Sequence, residues 1–254
     1  MGGEPTLYYG FRNLIKRINS LGFNNISILS NGNSLDDVEL VSFLLENNVK
    51  KFILAFHDID KKSYETQTGN KLAINRVVAA IDNILSLGGA IIVNNVVNTS
   101  NYKRLDDIYE FLYDIGIREY AISHVVPPTQ LKYNFEDLFP GYFELYPYLE
   151  KGLDFLNKKN AFYFLQYFPY CILNSYKDRR LNSYKNKAYS VTENGYEGFH
   201  YDCTRNFSIK RVECKSCKYD KSCIGVFKDY IAKKGWNEFI PITHVDFGDT
   251  KWLI

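Results

Sequence analysis

The sequence has no run of apolar residues that approaches the ~20 needed to cross a bilayer. Its first residues also lack the basic and then apolar order of a secretory signal peptide. These two absences argue against a membrane-spanning and against a secreted protein. We therefore expect a cytoplasmic protein with no membrane partner.

Net charge of either sign is almost missing as well. The 31 Lys and Arg residues nearly balance the 29 Asp and Glu residues, which leaves a formal net charge of +2. A field this weak does not draw a protein onto the phosphates of a nucleic acid, so we expect no nucleic-acid partner. With 46% hydrophobic residues, the 254-residue chain can bury one large core or two modest ones.

Cysteine is scarce, and its placement is uneven. The chain has 5 cysteines, and all of them lie in its last third. In a reducing compartment, an odd number of clustered cysteines favours metal or redox chemistry over a disulfide framework.

Short apolar strands alternate with amphipathic helices over the first two thirds of the chain. The predicted strands are 26–29, 51–56, 90–97, 120–126 and 161–168; the predicted helices are 7–21, one opened by Asp36 and Asp37, 72–87, 105–112 and 138–156. A polar loop is predicted from His57 to Asn70. This rhythm predicts βα units and a parallel sheet. Because the rhythm stops near residue 170, we predict an α/β domain over 1–160 and a small α+β domain over 161–254.

The stretch Gly2-Gly3-Glu4-Pro5 stands directly before the first predicted helix. Ligands of parallel α/β folds lie at the carboxyl ends of the strands, where the βα loops converge. Glycine lets the backbone come close to a ligand, and a glutamate can accept hydrogen bonds from a ligand ammonium group. The alternative is a flexible leader before a helix.

Further motifs follow at later strand ends, in an order that closely resembles the radical SAM superfamily. The matching segments are Gly2-Gly3-Glu4, Ile28-Leu29-Ser30-Asn31-Gly32, His57-Asp58 with Thr68-Gly69, and the strand and Asn-rich turn from Gly89 to Asn101.

This resemblance implies a partial (βα)6 barrel that binds S-adenosylmethionine. In the superfamily's pattern, Gly2, Gly3 and Glu4 hold the amino group of that cofactor, and Ser30 and Asn31 face its carboxylate or ribose. The implied activity is the generation of a 5′-deoxyadenosyl radical for hydrogen abstraction, with an electron donor such as flavodoxin or ferredoxin.

The superfamily's C-x3-C-x2-C signature has no match in the sequence. That signature binds the [4Fe–4S] cluster that cleaves the cofactor. We expect it, and this second cluster, on an N-terminal segment preceding Gly2 in a longer parent protein; loss of the chemistry is the alternative. The parent would then be the enzyme, and this chain alone is not expected to turn over substrate.

The cysteines Cys214, Cys217 and Cys223 form a C-x2-C-x5-C array, and Cys171 stands upstream. Four thiolates suit zinc or a [4Fe–4S] cluster equally well by count. The array resembles the auxiliary-cluster segment of radical SAM proteins with SPASM or twitch extensions, which favours an auxiliary [4Fe–4S] cluster over zinc or unligated thiols. Cys171 is the preferred fourth ligand, and Cys203 is the alternative.

An auxiliary cluster in such proteins often accompanies modification of a peptide or protein side chain, which is our first expectation for the substrate. The alternatives are a cofactor-biosynthesis enzyme acting on a small molecule, and a non-catalytic metal-binding module that recruits a peptide. Of the histidines, His57 is predicted to face the site from a βα loop, and His124 is predicted to be a core residue.

Overall fold

The computed structural model describes residues 3–71, 73–126, 134–180, 189–192, 195–199 and 206–243. The chain divides into two compact units. The N-terminal unit comprises Met1–Ser123 and Leu145–Phe164, and the C-terminal unit comprises His124–Glu144 and Leu165–Ile254. The assignment of functional domains to 1–160 and 161–254 stays a prediction.

A five-stranded sheet carries the sequence motifs at its strand ends. Its strands, in the same order along the chain and across the sheet, are β1 (Ile26–Ser30), β2 (Val49–Ala55), β3 (Ala90–Val97), β4 (Glu119–His124) and β5 (Phe162–Gln166). β1 pairs with β2, and β2 with β3, in parallel. The carboxyl ends of these neighbours therefore lie along one edge of the sheet.

Helices separate the strands, as the predicted βα rhythm requires. They are α1 (Phe11–Ser20), α2 (Val38–Glu46), α3 (Lys61–Thr68), α4 (Ala73–Ser86), α5 (Leu105–Asp114), α6 (Phe135–Leu138) and α7 (Tyr142–Lys158). α2 begins where the side chain of Asp37 accepts hydrogen bonds from the backbone N–H groups of Glu39 at 2.9 Å and Leu40 at 3.3 Å. Such a cap satisfies donors that the first helical turn leaves unpaired. The parallel sheet with intervening helices confirms the predicted α/β class.

Burial follows the position of each strand. In β3 every second residue is buried, whereas in β4 the last five residues are all buried. A strand buried on both faces belongs to the interior of a sheet covered on both sides. β1 is more exposed, and Leu29 keeps 46% of its surface accessible.

Two local predictions were wrong. The first helix begins at Phe11 rather than at Leu7, and Pro5–Leu7 form a 3-10 turn instead. The loop predicted from His57 to Asn70 contains α3. This helix escaped prediction because it lacks an apolar face: Tyr64 is its one buried residue.

The C-terminal unit contains short strands and helices around an aromatic core. Its further elements are β6 (Tyr189–Thr192), β7 (Gly195–Phe199), β8 (Ser208–Ile209), β9 (Val226–Phe227) and α8 (Lys228–Lys234). β6 pairs with β7, and β8 with β9, both antiparallel. The buried aromatic side chains of this unit include Tyr142, Phe168, Phe227, Tyr230 and Phe239. Among the described residues, no helix is both long and apolar enough to cross a membrane.

Candidate functional site

The carboxylate of Glu4 joins the N-terminal turn to the carboxyl end of β1. Its Oε1 atom accepts hydrogen bonds from the hydroxyl groups of Ser30 and Thr6, each at 2.7 Å, and from the backbone N–H of Thr6 at 3.2 Å. Its Oε2 atom accepts from the backbone N–H of Asn31 at 2.7 Å. The structure thus brings together Glu4, Ser30 and Asn31, three of the residues that the sequence assigns to cofactor binding.

The turn after β1 holds Ser30 in place. Ser30 is 3% exposed, and its hydroxyl also accepts from the backbone N–H of Gly32 at 3.0 Å. Gly32 has φ +80°, and a Cβ there would lie 2.8 Å from Cγ2 of Val77. The position therefore requires glycine for both conformation and space.

Of the two glycines predicted to bind the cofactor, the structure describes one. Gly3 has φ +72° and no atom within 4 Å of where a Cβ would be, so its backbone faces open space. Gly2 lies outside the described residues.

His57 follows β2 directly and is held in one tautomer. Its Nδ1 accepts a hydrogen bond from the backbone N–H of Val96 at 3.3 Å, so the ring proton of the neutral imidazole resides on Nε2. Burial lowers the pKa of His57 to about 4, although the neighbouring Asp58 opposes this shift. At neutral pH the ring is therefore an uncharged group with an N–H donor.

Asp58 and Arg104 form an ion pair that the sequence analysis missed; its carboxylate is fully buried, and its Arg104 side chain is 36% exposed. Asp58 is 0% exposed and accepts from Nε of Arg104 at 3.2 Å and from its Nη2 at 2.5 Å. Asp58 Oδ1 also accepts the backbone N–H groups of Ile59 at 2.8 Å and Asp60 at 3.2 Å. The pair fixes the loop that follows His57. No sequence signal links residues 46 positions apart.

Asparagine side chains tie the ends of β2 and β3 together. The amide of Asn95 donates to the carbonyl of Phe56 at 2.9 Å, and the amide of Asn101 donates to the carbonyls of His57 and Val96 at 2.8 Å each. Both side chains are 0% exposed. The Asn-rich turn noted in the sequence is thus a structural clamp for the loop that carries His57.

All four predicted metal ligands line one pocket in the C-terminal unit. The pocket has an empty volume of about 420 Å³, shared with solvent, and its wall includes the side chains of Cys171, Cys214, Cys217 and Cys223. Each of these cysteines is free and partly exposed. Cys203, the alternative fourth ligand, lies outside the described residues.

The chain around Cys223 is shaped to bring it into this wall. The backbone N–H of Gly225 points at Sγ of Cys223, 3.4 Å away. Gly225 has φ +93°, and a Cβ there would lie 2.3 Å from the carbonyl oxygen of Ile209. Only glycine can make this close approach. Backbone N–H groups directed at cysteine sulfur stabilise thiolates and metal–sulfur centres.

The thiols influence one another. The pKa of Cys171 is raised to about 12, first by burial and then by the neighbouring Cys223, Cys217 and Cys214. Burial also raises the pKa of Cys214. Among the described residues, no three or more His, Cys, Asp or Glu side chains are positioned to hold one metal ion. The four cysteines nevertheless line one pocket. Their softness and number fit an iron–sulfur cluster or zinc, either of which would deprotonate them.

Comparison with known proteins gives relatives over part of the chain. A probable GTP 3′,8-cyclase from Sulfurisphaera tokodaii is 27% identical over 136 residues, which are 53% of this chain and 42% of that protein. The chain thus spans less than half the length of this relative. No family model matches the chain.

Two solved structures share the fold. The structure of anSMEcpe with bound AdoMet and Kp18Cys peptide matches with a TM-score of 0.59 and 17% identity, over 95% of this chain and 78% of the other. Streptococcus suis SuiB bound to its precursor peptide SuiA matches with a TM-score of 0.54 and 18% identity, over 72% and 40%. At this identity the likeness establishes the fold.

The sheet, its helices and the motifs at its strand ends define an α/β protein of the partial-barrel type. The chain shares this fold with the two solved structures, as the order of its predicted strands and helices leads us to expect.

Proposed function

We propose that this chain is the S-adenosylmethionine-binding part of a radical SAM enzyme, with an auxiliary iron–sulfur cluster in its C-terminal unit. The observation that carries the first half is the meeting of Glu4 with Ser30 and Asn31 at the carboxyl end of β1. Four donors fix the Glu4 carboxylate at this strand end, and a carboxylate held there can accept a hydrogen bond from a cofactor ammonium group.

The residues divide the task of holding the cofactor. Oε2 of Glu4 receives one hydrogen bond among the described residues and keeps a lone pair for a ligand ammonium group. Ser30 is buried and engaged with Glu4, so it acts by orienting that carboxylate. We assign the rest of the methionine portion to the side-chain amide of the exposed Asn31 and to the backbone of Gly3. The assignment of Gly2 rests on the sequence motif alone.

The chemistry of the reaction belongs to the cofactor. When it is bound beside a reduced [4Fe–4S] cluster, S-adenosylmethionine supplies a 5′-deoxyadenosyl radical for hydrogen abstraction. This chain's residues bind and orient the cofactor and keep the neutral imidazole of His57 at the same sheet edge. The second cluster and an electron donor such as flavodoxin or ferredoxin would come from outside this chain.

The auxiliary centre would be held by Cys171, Cys214, Cys217 and Cys223. Their shared pocket and the N–H of Gly225 directed at Cys223 support this ligand set. When bound, such a cluster supplies an electron-transfer or substrate-binding centre. Zinc is the competing occupant.

A peptide or protein side chain is the substrate class we favour. Two proteins of the same fold were solved with peptides, the Kp18Cys peptide and the precursor peptide SuiA. A small nucleotide is the second candidate, because the curated relatives are probable GTP 3′,8-cyclases. A GTP-binding measurement separates the two candidates. Binding of GTP to the chain with a micromolar Kd would favour the nucleotide substrate. Absence of GTP binding in a chain that still binds the cofactor would favour the peptide substrate.

Cofactor binding can be tested on the chain as it exists. Isothermal titration should show that S-adenosylmethionine binds more tightly than 5′-methylthioadenosine, which lacks the amino and carboxylate groups. Glu4→Gln should abolish that preference and leave 5′-methylthioadenosine binding unchanged. Equal affinity of the wild-type chain for the two compounds would refute the assignment and favour the non-catalytic module.

Metal binding is tested separately. Anaerobic incubation with iron and sulfide should give a brown protein with about four iron atoms per chain, as one [4Fe–4S] cluster requires. Stoichiometric zinc with no iron uptake would instead assign the pocket to a structural zinc site.

A further inference from the structure

Among the described residues of the C-terminal unit, the buried polar atoms without a hydrogen-bond partner include one on His124 and one on Tyr142. His124, the last residue of β4, uses Nδ1 at 2.9 Å from the carbonyl of Val125 and leaves Nε2 unpaired. Tyr142, the first residue of α7, leaves its hydroxyl unpaired. Both residues are 0% exposed, and their rings stack with centroids 4.7 Å apart. A buried hydroxyl without a partner costs about 1–3 kcal/mol, so each such group calls for an explanation.

The ring of Tyr142 is fixed from several sides. Its backbone N–H donates to the hydroxyl of Tyr230 at 3.0 Å. Its ring packs against those of Tyr230 at 4.8 Å and Phe239 at 5.3 Å. The hydroxyl therefore cannot turn far to find solvent. Glu238, a nearby acceptor, is already engaged by the hydroxyl of Tyr230 and the backbone N–H of Phe143.

Tyr142 stands next to the cysteine pocket. Phe239, which packs edge-on against its ring, is part of the pocket wall, and so is Cys171. Burial, Tyr230 and then Cys171 raise the pKa of the Tyr142 hydroxyl, which places the hydroxyl and this sulfur within electrostatic reach of each other. A neutral thiol is a weak acceptor, whereas a metal-bound thiolate is a strong one.

We propose that the hydroxyl of Tyr142 donates a hydrogen bond to the sulfur of Cys171 when an iron–sulfur cluster occupies the cysteine pocket, and that this bond raises the reduction potential of the cluster. The inference rests on the proposed auxiliary cluster. Tyr142 is then a positioning residue, which acts through a ligand. Its hydroxyl lacks a partner in the metal-free chain because its acceptor is created by metal binding. A donor at a cluster sulfur favours the reduced, more negative state.

The test compares the wild-type chain with Tyr142→Phe and with Tyr163→Phe as the matched control. Tyr163 is also buried, and its hydroxyl donates to Asn157 at 2.9 Å in the N-terminal unit. All three proteins are reconstituted anaerobically, and the cluster is titrated against redox dyes and followed by visible absorption and electron paramagnetic resonance. Thermal unfolding of the metal-free proteins is measured in parallel.

In Tyr142→Phe we expect the ratio of reduced to oxidised cluster at a fixed potential to fall about tenfold, which is 59 mV for a one-electron couple. Tyr163→Phe should keep the wild-type ratio. Thermal unfolding of the metal-free proteins should show the opposite sensitivity to the two substitutions. Tyr163→Phe should have a lower melting temperature than the wild type, since it loses a hydrogen bond, and Tyr142→Phe should have the wild-type melting temperature or a higher one.

An unchanged potential in Tyr142→Phe would overturn the inference and leave the proposed cluster standing. A metal-free Tyr142→Phe that melts as low as Tyr163→Phe would also overturn it, because the hydroxyl would then serve the fold. Failure of the wild-type chain to take up iron would refute the proposed cluster and this inference together, and it is visible without any variant.

Discussion

The buried carboxylate of Asp58 accepts two hydrogen bonds from the guanidinium group of Arg104, at 3.2 and 2.5 Å, across 46 residues of sequence. Asp58 lies in the loop three residues after the end of β2, and Arg104 lies just before α5. The hydrogen bond that Arg104 donates to Asp58 is the largest cause that raises the pKa of Arg104. The pair fixes the loop that presents His57 at the candidate site.

Arg104→Ala should destabilise the chain by about 3–5 kcal/mol, because it leaves the carboxylate of Asp58 buried without a countercharge. Urea unfolding followed by circular dichroism measures this change. Arg104→Lys should recover only part of the loss, since an ammonium group cannot reproduce the two-pronged contact.

The matched control for this experiment is Lys51→Ala. Lys51 pairs with Glu119 at 3.0 Å and is 36% exposed, as Arg104 is, but the Glu119 side chain is also 36% exposed, whereas that of Asp58 is 0% exposed. A solvent-exposed ion pair contributes about 0–1 kcal/mol to the free energy of unfolding. Equal losses from Arg104→Ala and Lys51→Ala would show that burial of Asp58 does not govern the stability of the loop.

Glu4→Gln should weaken S-adenosylmethionine binding at least tenfold and lower the free energy of unfolding by about 1–3 kcal/mol. An amide presents N–H donors where Glu4 now accepts from Ser30, Thr6 and the N–H of Asn31, so at least one donor is left facing another. Calorimetric titration and urea unfolding measure the two effects.

Glu39→Gln serves as the control, because Glu39 is exposed on α2 and has no link to the turn. It should change neither quantity by more than a few tenths of a kcal/mol. Loss of stability in Glu4→Gln with unchanged cofactor affinity would make the carboxylate a purely structural clamp.

The motif-bearing strand ends could be predicted from sequence because each depends on local chemistry. Ser30 and Gly32 form a turn whose geometry is set by neighbouring residues, and the strand from Ala90 to Val97 has the bounds that its apolar run predicts. The helix α3 could not be predicted from periodicity, since its polar sequence is held by a cap at Asp60 and by one buried ring.

Partners far apart in sequence were beyond prediction. In the sequence, nothing distinguishes Arg104 from other charged residues that precede a helix, and only the fold brings it to Asp58. Likewise, nothing distinguishes Tyr142 from the many other aromatic residues of the chain. The cysteine pocket is an intermediate case. The sequence groups Cys214, Cys217 and Cys223 by their spacing and names Cys171 as the preferred fourth ligand, but only the fold shows that all four line one pocket.

The fourth cluster ligand is decided by comparing Cys171→Ala with Cys203→Ala. Because Cys171 lines the pocket with the three-cysteine array, its loss should reduce iron retention after desalting at least severalfold and alter the visible spectrum. Cys203→Ala should retain the iron and the spectrum of the wild type. The reverse result would assign the fourth position to Cys203.

Cys217→Ala should loosen the C-terminal unit in the metal-loaded protein and leave the N-terminal sheet intact. Metal binding adds folding free energy to a segment that has few buried apolar residues of its own. Hydrogen exchange should become faster at the amides of 206–227 and stay unchanged in β1, β2 and β3. In metal-free protein the variant should match the wild type, and loss of protection in the sheet would contradict the predicted division into two domains.

His124 should make the chain less stable in acid. Burial among aromatic rings lowers its pKa to about 4, against an ordinary value near 6.5. The unfolded state therefore binds more protons between these values, and stability rises with pH across that window. The contribution of the neutral His124 ring to the free energy of unfolding is complete above pH ~6.5 and is lost as the pH falls towards 4. The loss is about 3 kcal/mol at most for a 2.5-unit shift of the pKa.

His124→Phe should flatten the pH dependence of the free energy of unfolding, measured in urea, over this range. His57, whose pKa is lowered in the same direction, leaves a residual slope. A slope that is equally steep in wild type and variant would mean that His124 does not titrate on unfolding.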